Sequence, residues 1–166
     1  MEDREPGVTE NLRRDVWDGM IGADMRYRYF DRLAARAKTT DDTLHVLLFI
    51  ASGTTAAGVL GLFTFGATVL AVASAILAAV TATLHFGQRA SKFAEFSVFW
   101  GRIHADYKRL WDDVEAHAVT QEVVVERLRA LQERPESIDR QASTTRTRRK
   151  LLLECFDEAS AMATAR

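Results

Sequence analysis

Residues 65–87 of this chain, FGATVLAVASAILAAVTATLHFG, contain no Asp, Glu, Lys or Arg, and they belong to a longer uncharged segment that runs from 43 to 88. All 45 charged residues of the 166-residue chain therefore lie outside these 46 positions. A helix crosses the ~30 Å hydrocarbon core of a bilayer with about 20 residues. The uncharged segment is long enough for two crossings, and the run GLFTFG at 61–66 predicts a tight turn between them.

We therefore predict an all-α membrane protein with two transmembrane helices, near residues 44–63 and 67–86. The alternative is a soluble helical hairpin buried inside a bundle, which the many alanines and threonines of the segment favour. In that case the highly charged remainder of the chain would have to cover every face of both helices. Basic residues flank both spans and are missing from the turn, which predicts cytoplasmic termini. These residues are Arg32, Arg36, Lys38, Arg89 and Lys92.

The segments on either side of the uncharged block carry apolar stripes that alternate steps of four and three residues, as in helices that pack along a seam. A fold-back at about residue 65 pairs positions whose numbers sum to about 130, so that Phe30 faces Trp100 and the hairpin extends into a long antiparallel cytoplasmic stem. The same rule places Ala23 against Tyr107, although seven-residue repeats also allow a register one heptad away. The predicted seam residues are Tyr27, Phe30, Phe96, Trp100, Ile103 and Tyr107.

The rest of the chain completes a four-part organisation. Thr120 is typical of a helix start and Pro135 of a helix end, and a linker rich in Ser and Thr follows. A last amphipathic helix is predicted to carry Leu152, Leu153, Phe156, Ala159 and Met162 on its apolar face. The predicted segments are an N-terminal cytoplasmic helix at 1–42, the two-span hairpin at 43–88, the stem and following helix at 89–134, and the linker with the terminal helix at 135–166.

Small residues four positions apart recur in both predicted spans. Such residues let helices approach closely within lipid, so we predict that they pack the spans into a homo-oligomer. The other interpretation is that alanine is simply a good helix former. The predicted helix-packing residues are Gly53, Ala57, Gly61, Ala71, Ala75 and Ala79.

Polar side chains within the spans are candidates to line a pore. Their hydroxyl groups could equally bond back to their own helix, and the two histidines could be ordinary interfacial residues. The candidate pore-lining residues are Thr54, Thr55, Ser74, Thr81, His45 and His85.

The sequence carries no signature of enzymatic chemistry. The run ASGTTAAG at 51–58 lacks the ending of a phosphate-binding loop, and the single Cys155 has no evident histidine partner. Asp113 and His117 stand four positions apart, but two such groups fall short of a metal site. We therefore expect no enzyme, no metal and no cofactor. The basic patch at 146–150 is too short to predict nucleic-acid binding.

This layout resembles the SLATT family, two-transmembrane effectors associated with nucleotide-sensing modules in bacterial conflict systems. The resemblance rests on the two close spans and on the flanking segments WDGMIGADMRYRYFDRLAARA at 17–37 and RASKFAEFSVFWGRIHADYKRLWDDVEA at 89–116. It implies an oligomeric pore-forming effector of the bacterial inner (plasma) membrane that acts in antiviral defence. It also implies a trigger from a separate nucleotide-sensing or signal-producing protein.

The residues and the resemblance together predict a homo-oligomeric inner-membrane ion channel or pore, embedded in the lipid bilayer and gated through its cytoplasmic stem. The alternative is a non-conducting membrane scaffold whose stem recruits a cytosolic partner. A stem that shares one seam with the spans could pass motion between them, which favours the channel.

Overall fold

The computed structural model describes residues 8–57, 72, 75–76, 78–79, 86–135, 138 and 147–164. The helices whose bounds the structure describes are α1 (Glu10–Ala57), α2 (Phe86–Glu115), α3 (Gln121–Glu133) and α4 (Arg149–Thr164). The all-helical class predicted from the sequence agrees with these elements. The chain divides into two compact units, unit 1 formed by Met1–Asp31 with Glu95–Arg166 and unit 2 formed by Arg32–Ala94.

The predicted membrane spans need correction. Among the residues that the structure describes, no helix has both the length and the apolarity that a membrane crossing requires. Within the described residues, the apolar end of α1 covers 44–57, and Asp41 and Asp42 precede it by three and two positions. That end is shorter than the about 20 residues of a crossing. Of the predicted second span at 67–86, the structure describes only 72, 75–76, 78–79 and 86, all of them helical. The finding contradicts the two-span membrane fold and the inner-membrane localisation, and both are withdrawn.

The core of unit 1 takes one face from each of its four helical segments. Within this unit α1 and α2 run antiparallel, because Trp17 contacts Trp111 near one end and Phe30 contacts Phe96 near the other. The ring centroids of these two pairs lie 4.9 Å and 5.2 Å apart. The buried residues of α3 and α4 are Val124, Leu128, Leu131, Leu151, Cys155 and Ala159.

The direction of the α1–α2 pairing agrees with the sequence prediction, but its register does not. The contacting pairs Phe30–Phe96 and Tyr107–Gly19 have numbers that sum to 126, and Trp17–Trp111 and Tyr27–Gly101 have numbers that sum to 128, instead of 130. The register is therefore displaced from the predicted one by at most about one helical turn. The Tyr107 ring lies directly against Gly19, where a β carbon would leave it no room.

Five of the six predicted seam residues are buried, namely Phe30, Phe96, Trp100, Ile103 and Tyr107. The sixth, Tyr27, is 38% exposed, and its ring lies 3.3 Å from the position that a β carbon would take on Gly101. Tyr29 is buried instead. Tyr27 thus lies against α2 but is less buried than the other predicted seam residues.

Helix α2 ends in a turn that reverses the chain before α3. The backbone N–H of His117 donates to the carbonyl of Val114, and that of Ala118 donates to the carbonyl of Asp113. His117 has φ 52°, so the turn is a Schellman motif with a non-glycine residue in the left-handed position. Helix α3 then begins after Thr120, as the sequence predicted.

Helix α4 exists where the sequence predicted it, but a different face packs. Leu151, Cys155 and Ala159 are buried, at spacings of four residues. Leu153 and Phe156, which were expected on the packed face, are exposed by 53% and 48%. The prediction of this face is wrong because both stripes have helical spacing, and only the surface offered by the other helices selects between them.

Candidate functional site: a groove with two tryptophans

Helices α1, α2 and α4 enclose a groove of about 650 Å³ within unit 1. Its apolar lining comes from Trp17, Met20 and Ile21 of α1, Trp111 of α2 and Met162 of α4. Grooves of this size, apolar and bordered by a few polar groups, are where proteins commonly bind other molecules. We take this groove as the candidate functional site.

Two tryptophans form the aromatic part of the groove. Trp17 and Trp111 are both partly exposed, and their ring planes are tilted by 56°. The guanidinium of Arg13 lies 5.9 Å from the Trp111 ring centroid and is held by an ion pair with Glu115. Partly exposed indoles that are already fixed in place lose little conformational freedom on binding, which is typical of the residues that dominate protein interfaces.

The charged groups around the groove are largely neutralised by one another. The buried carboxylate of Asp24 accepts a hydrogen bond from Arg28 Nε at 2.8 Å. Arg28 Nη2 also donates to Met162 Sδ at 3.2 Å, which ties α1 to the end of α4. His104 Nδ1 lies 3.3 Å from the carbonyl oxygen of Met20. The groove therefore offers an apolar surface with balanced charge rather than a strongly acidic or basic one.

Helix α4 is held against the rest of unit 1 near its start and in its middle. Near its start, the backbone N–H of Arg148 donates to the hydroxyl of Tyr29 at 3.0 Å. Farther along, Cys155 is completely buried. The helix thus carries three kinds of residue at once: those packed in the core, those lining the groove, and the exposed Leu153 and Phe156.

Of the candidate pore-lining residues, His45 is exposed on α1, and its Nε2 lies 3.8 Å from Asp41 Oδ2. Thr54 and Thr55 belong to α1, without described side chains, and the other three lie outside the described residues. Hydroxyl groups that bond back to their own helix do occur earlier in α1, at Thr39, Thr40 and Thr43. The three outside the described residues are Ser74, Thr81 and His85.

Most of the predicted helix-packing residues also lack a described side chain. Ala75 and Ala79 are exposed in the structure. Gly53 and Ala57 lie in the last turns of α1, again without described side chains. Gly61 and Ala71 lie outside the described residues. Among the described residues, the structure brings together most of the seam residues of unit 1. The pore-lining and helix-packing sets have few described side chains, and both stay predictions.

The pair Asp113 and His117 does not form a site. Asp113 accepts a hydrogen bond from Arg127 at 2.8 Å, which joins α2 to α3, and His117 lies beyond the end of α2. A second ion pair, between Arg134 and Asp106 at 2.7 Å, also joins these helices. Within the described ranges, no group of three or more His, Cys, Asp or Glu side chains could hold a metal ion.

The two groove tryptophans were not predicted from the sequence. Each directly follows a residue of the predicted stripes, Trp17 after Val16 and Trp111 after Leu110. Equivalent flanking positions on two antiparallel helices lie on the same side of the seam. The contact between the two tryptophans could therefore have been predicted from the residues next to the apolar stripes.

The chain matches no protein-family model, no curated protein and no solved structure. The resemblance to the SLATT family therefore stays a prediction, as does the expectation that the chain is not an enzyme.

Proposed function

We propose that this chain is a non-enzymatic scaffold protein that assembles with a second copy of itself through the groove and α4 of unit 1. The observation that carries the proposal is the position of Phe156. It is a large apolar side chain, 48% exposed, on the same helix whose Ala159 and Met162 line the groove. The exposed Leu153 lies one turn earlier on that helix.

A second copy fits this arrangement better than an unrelated partner. When a projecting residue and a receiving groove belong to neighbouring parts of one surface, a two-fold axis beside them brings each projection into the groove of the other copy. Phe156 of one copy would then lie against Trp17 and Trp111 of the other. Because the groove charges are balanced within each copy, bringing two such surfaces together causes little repulsion.

The second function predicted from the sequence is a non-conducting membrane scaffold whose stem recruits a cytosolic partner. The proposal keeps the scaffold role, omits its membrane part and takes a second copy of the chain as the partner. The predicted channel depended on two membrane spans. Ion conduction stays a prediction, and the dimer proposed here does not depend on it. Homo-oligomer formation, which the sequence predicted through residues of the spans, is proposed through unit 1 instead.

Sedimentation equilibrium of the full chain tests the proposal. We expect a dimer whose dissociation constant rises at least about tenfold, or about 1.4 kcal/mol, in Phe156→Asp. Val125→Asp is the matched control, because Val125 is an exposed apolar residue on α3 that does not line the groove. Circular dichroism verifies that both variants retain their helices. A monomer at every concentration, or an equal effect of the two variants, would overturn the proposal.

A mixing experiment tests the two-fold geometry itself. Trp111→Ala and Phe156→Asp each remove both Phe156–Trp111 contacts from their own homodimer. A mixed dimer of the two variants regains one intact contact, so the mixture should associate more tightly than either variant alone. Equal association of the mixture and the separate variants would contradict the two-fold arrangement.

A further inference from the structure

Met162 is the most exposed of the methionines whose side chains the structure describes. Its side chain is 57% exposed, whereas that of Met20 is 8% exposed and that of Met25 is partly buried. It also lines the groove between α1, α2 and α4. An oxidant in solution therefore reaches the thioether of Met162 before those of Met20 and Met25.

The sulfur of Met162 already faces a fixed hydrogen-bond donor. Arg28 Nη2 donates to Met162 Sδ at 3.2 Å, while Arg28 Nε donates to Asp24 Oδ2 at 2.8 Å. The bond to Asp24 holds the guanidinium in place, because this carboxylate is buried. A thioether sulfur is only a weak acceptor, so the Nη2–H group has a poor partner in the reduced protein.

Oxidation of the sulfur supplies a better acceptor for the same donor. The sulfur lone pair attacks one oxygen of hydrogen peroxide and the O–O bond breaks. The hydroxide that leaves takes the proton of the transferred OH group, so the products are the sulfoxide and water. The thioether is oxidised and the peroxide is reduced, and the new oxygen lies one bond from the atom that Arg28 already contacts.

We propose that Met162 is a site of reversible oxidation by peroxides, and that its oxidation weakens the self-association of unit 1. This inference rests on the proposed function, in which a second copy covers the groove. The sulfoxide oxygen has two lone pairs, of which Arg28 occupies one and water the other. A second copy displaces that water, so the oxidised chain loses on association a hydrogen bond that the thioether does not make.

Peptide mass spectrometry of the full chain treated with hydrogen peroxide tests the site. We expect Met162 to be oxidised at least about tenfold faster than Met20, because the side chain of Met20 is buried. The thiol of Cys155 is also oxidisable but is completely buried. Met162→Leu has a similar volume without a sulfur atom, and it reports any effect of oxidation elsewhere in the chain.

An NMR spectrum of the ¹⁵N-labelled chain tests the role of Arg28. We expect oxidation to shift the Nε–H signal of Arg28, since its guanidinium then donates to oxygen instead of sulfur. Arg28→Lys identifies this signal. In Met162→Leu the signal should not respond to peroxide.

Sedimentation equilibrium before and after oxidation tests the regulation. The dissociation constant of the dimer should rise at least about tenfold, as expected when a polar group loses a hydrogen bond on burial. Treatment with the two methionine sulfoxide reductases, one for each sulfoxide epimer, should restore the original value. Peroxide should leave the dissociation constant of Met162→Leu unchanged.

Three results would overturn this inference and leave the proposed dimer intact: equal oxidation rates of Met162 and Met20, an Arg28 signal that does not move, or a dissociation constant that oxidation does not change. A chain that is already monomeric before oxidation would overturn the proposed function, and the regulation with it.

Discussion

The ring of Tyr107 lies directly against the backbone of Gly19. A β carbon added at Gly19 would stand 2.7 Å from Tyr107 Cζ and 3.1 Å from Cδ1. Three residues later, Gly22 has no atom within 4 Å of the equivalent position. The two glycines of α1 therefore differ in their surroundings: Gly19 admits an aromatic ring from α2, and Gly22 borders a cavity.

The two glycines should respond oppositely to the same substitution. Gly19→Ala forces the Tyr107 ring to move and should lower the free energy of unfolding by about 1–3 kcal/mol. Gly22→Ala adds a methyl group to open space and reduces the freedom of the unfolded chain, so it should raise that free energy by about 0.5–1 kcal/mol. Urea unfolding measures both, and a change of the same sign in the two variants would contradict the close contact at Gly19.

Replacing His117 with glycine should stabilise the folded protein. Its φ of 52° is costly for a residue with a β carbon, and glycine adopts it without strain. We expect His117→Gly to raise the free energy of unfolding by about 1 kcal/mol, even though it removes the contact of His117 Nδ1 with the carbonyl of Glu115. Ala118→Gly is the control, since Ala118 does not have positive φ. Thermal denaturation of the two variants should show a gain in His117→Gly alone.

The reaction rate of the Cys155 thiol should measure how firmly α4 packs against the rest of unit 1. Its side chain is completely buried, and it is the one cysteine of the chain, so a thiol reagent such as DTNB should react slowly with the folded protein. Leu151→Ala removes a buried contact of the same helix face and should accelerate the reaction at least about tenfold. Leu153→Ala truncates an exposed side chain and should leave the rate unchanged. Rapid reaction of the unsubstituted chain would show that α4 is not docked.

Alkaline pH should destabilise unit 1 through Tyr107. Burial raises the pKa of this hydroxyl above 10.0, so its contribution to stability is complete below pH 10 and is lost as pH rises through the folded-state pKa. Tyr107→Phe cannot ionise, and its free energy of unfolding should fall less steeply above pH 10. Parallel slopes for the two proteins in chemical unfolding at increasing pH would contradict the burial of the hydroxyl.

The interpretation of residues 43–88 shows where composition misleads. The absence of charge over these positions predicts two crossings, but a charge-free sequence does not by itself specify continuous apolar helices of sufficient length. In the described chain, the apolar end of α1 continues a helix whose preceding turns contain Asp41 and Asp42. No described helix meets the requirements of a span.

The sequence by itself determined the helical class and the start of α3 after Thr120, because the spacing of apolar residues and the preferences of residues at helix starts are local properties. Two apolar stripes on one chain that folds back between them also predicted the antiparallel pairing. Only the tertiary structure decided the register, the packed face of α4, and the positions of the groove and the cavity. These depend on volumes that meet across the fold, such as the Tyr107 ring against Gly19. Heptad stripes allow several registers of similar burial, and the fit of individual side chains selects among them.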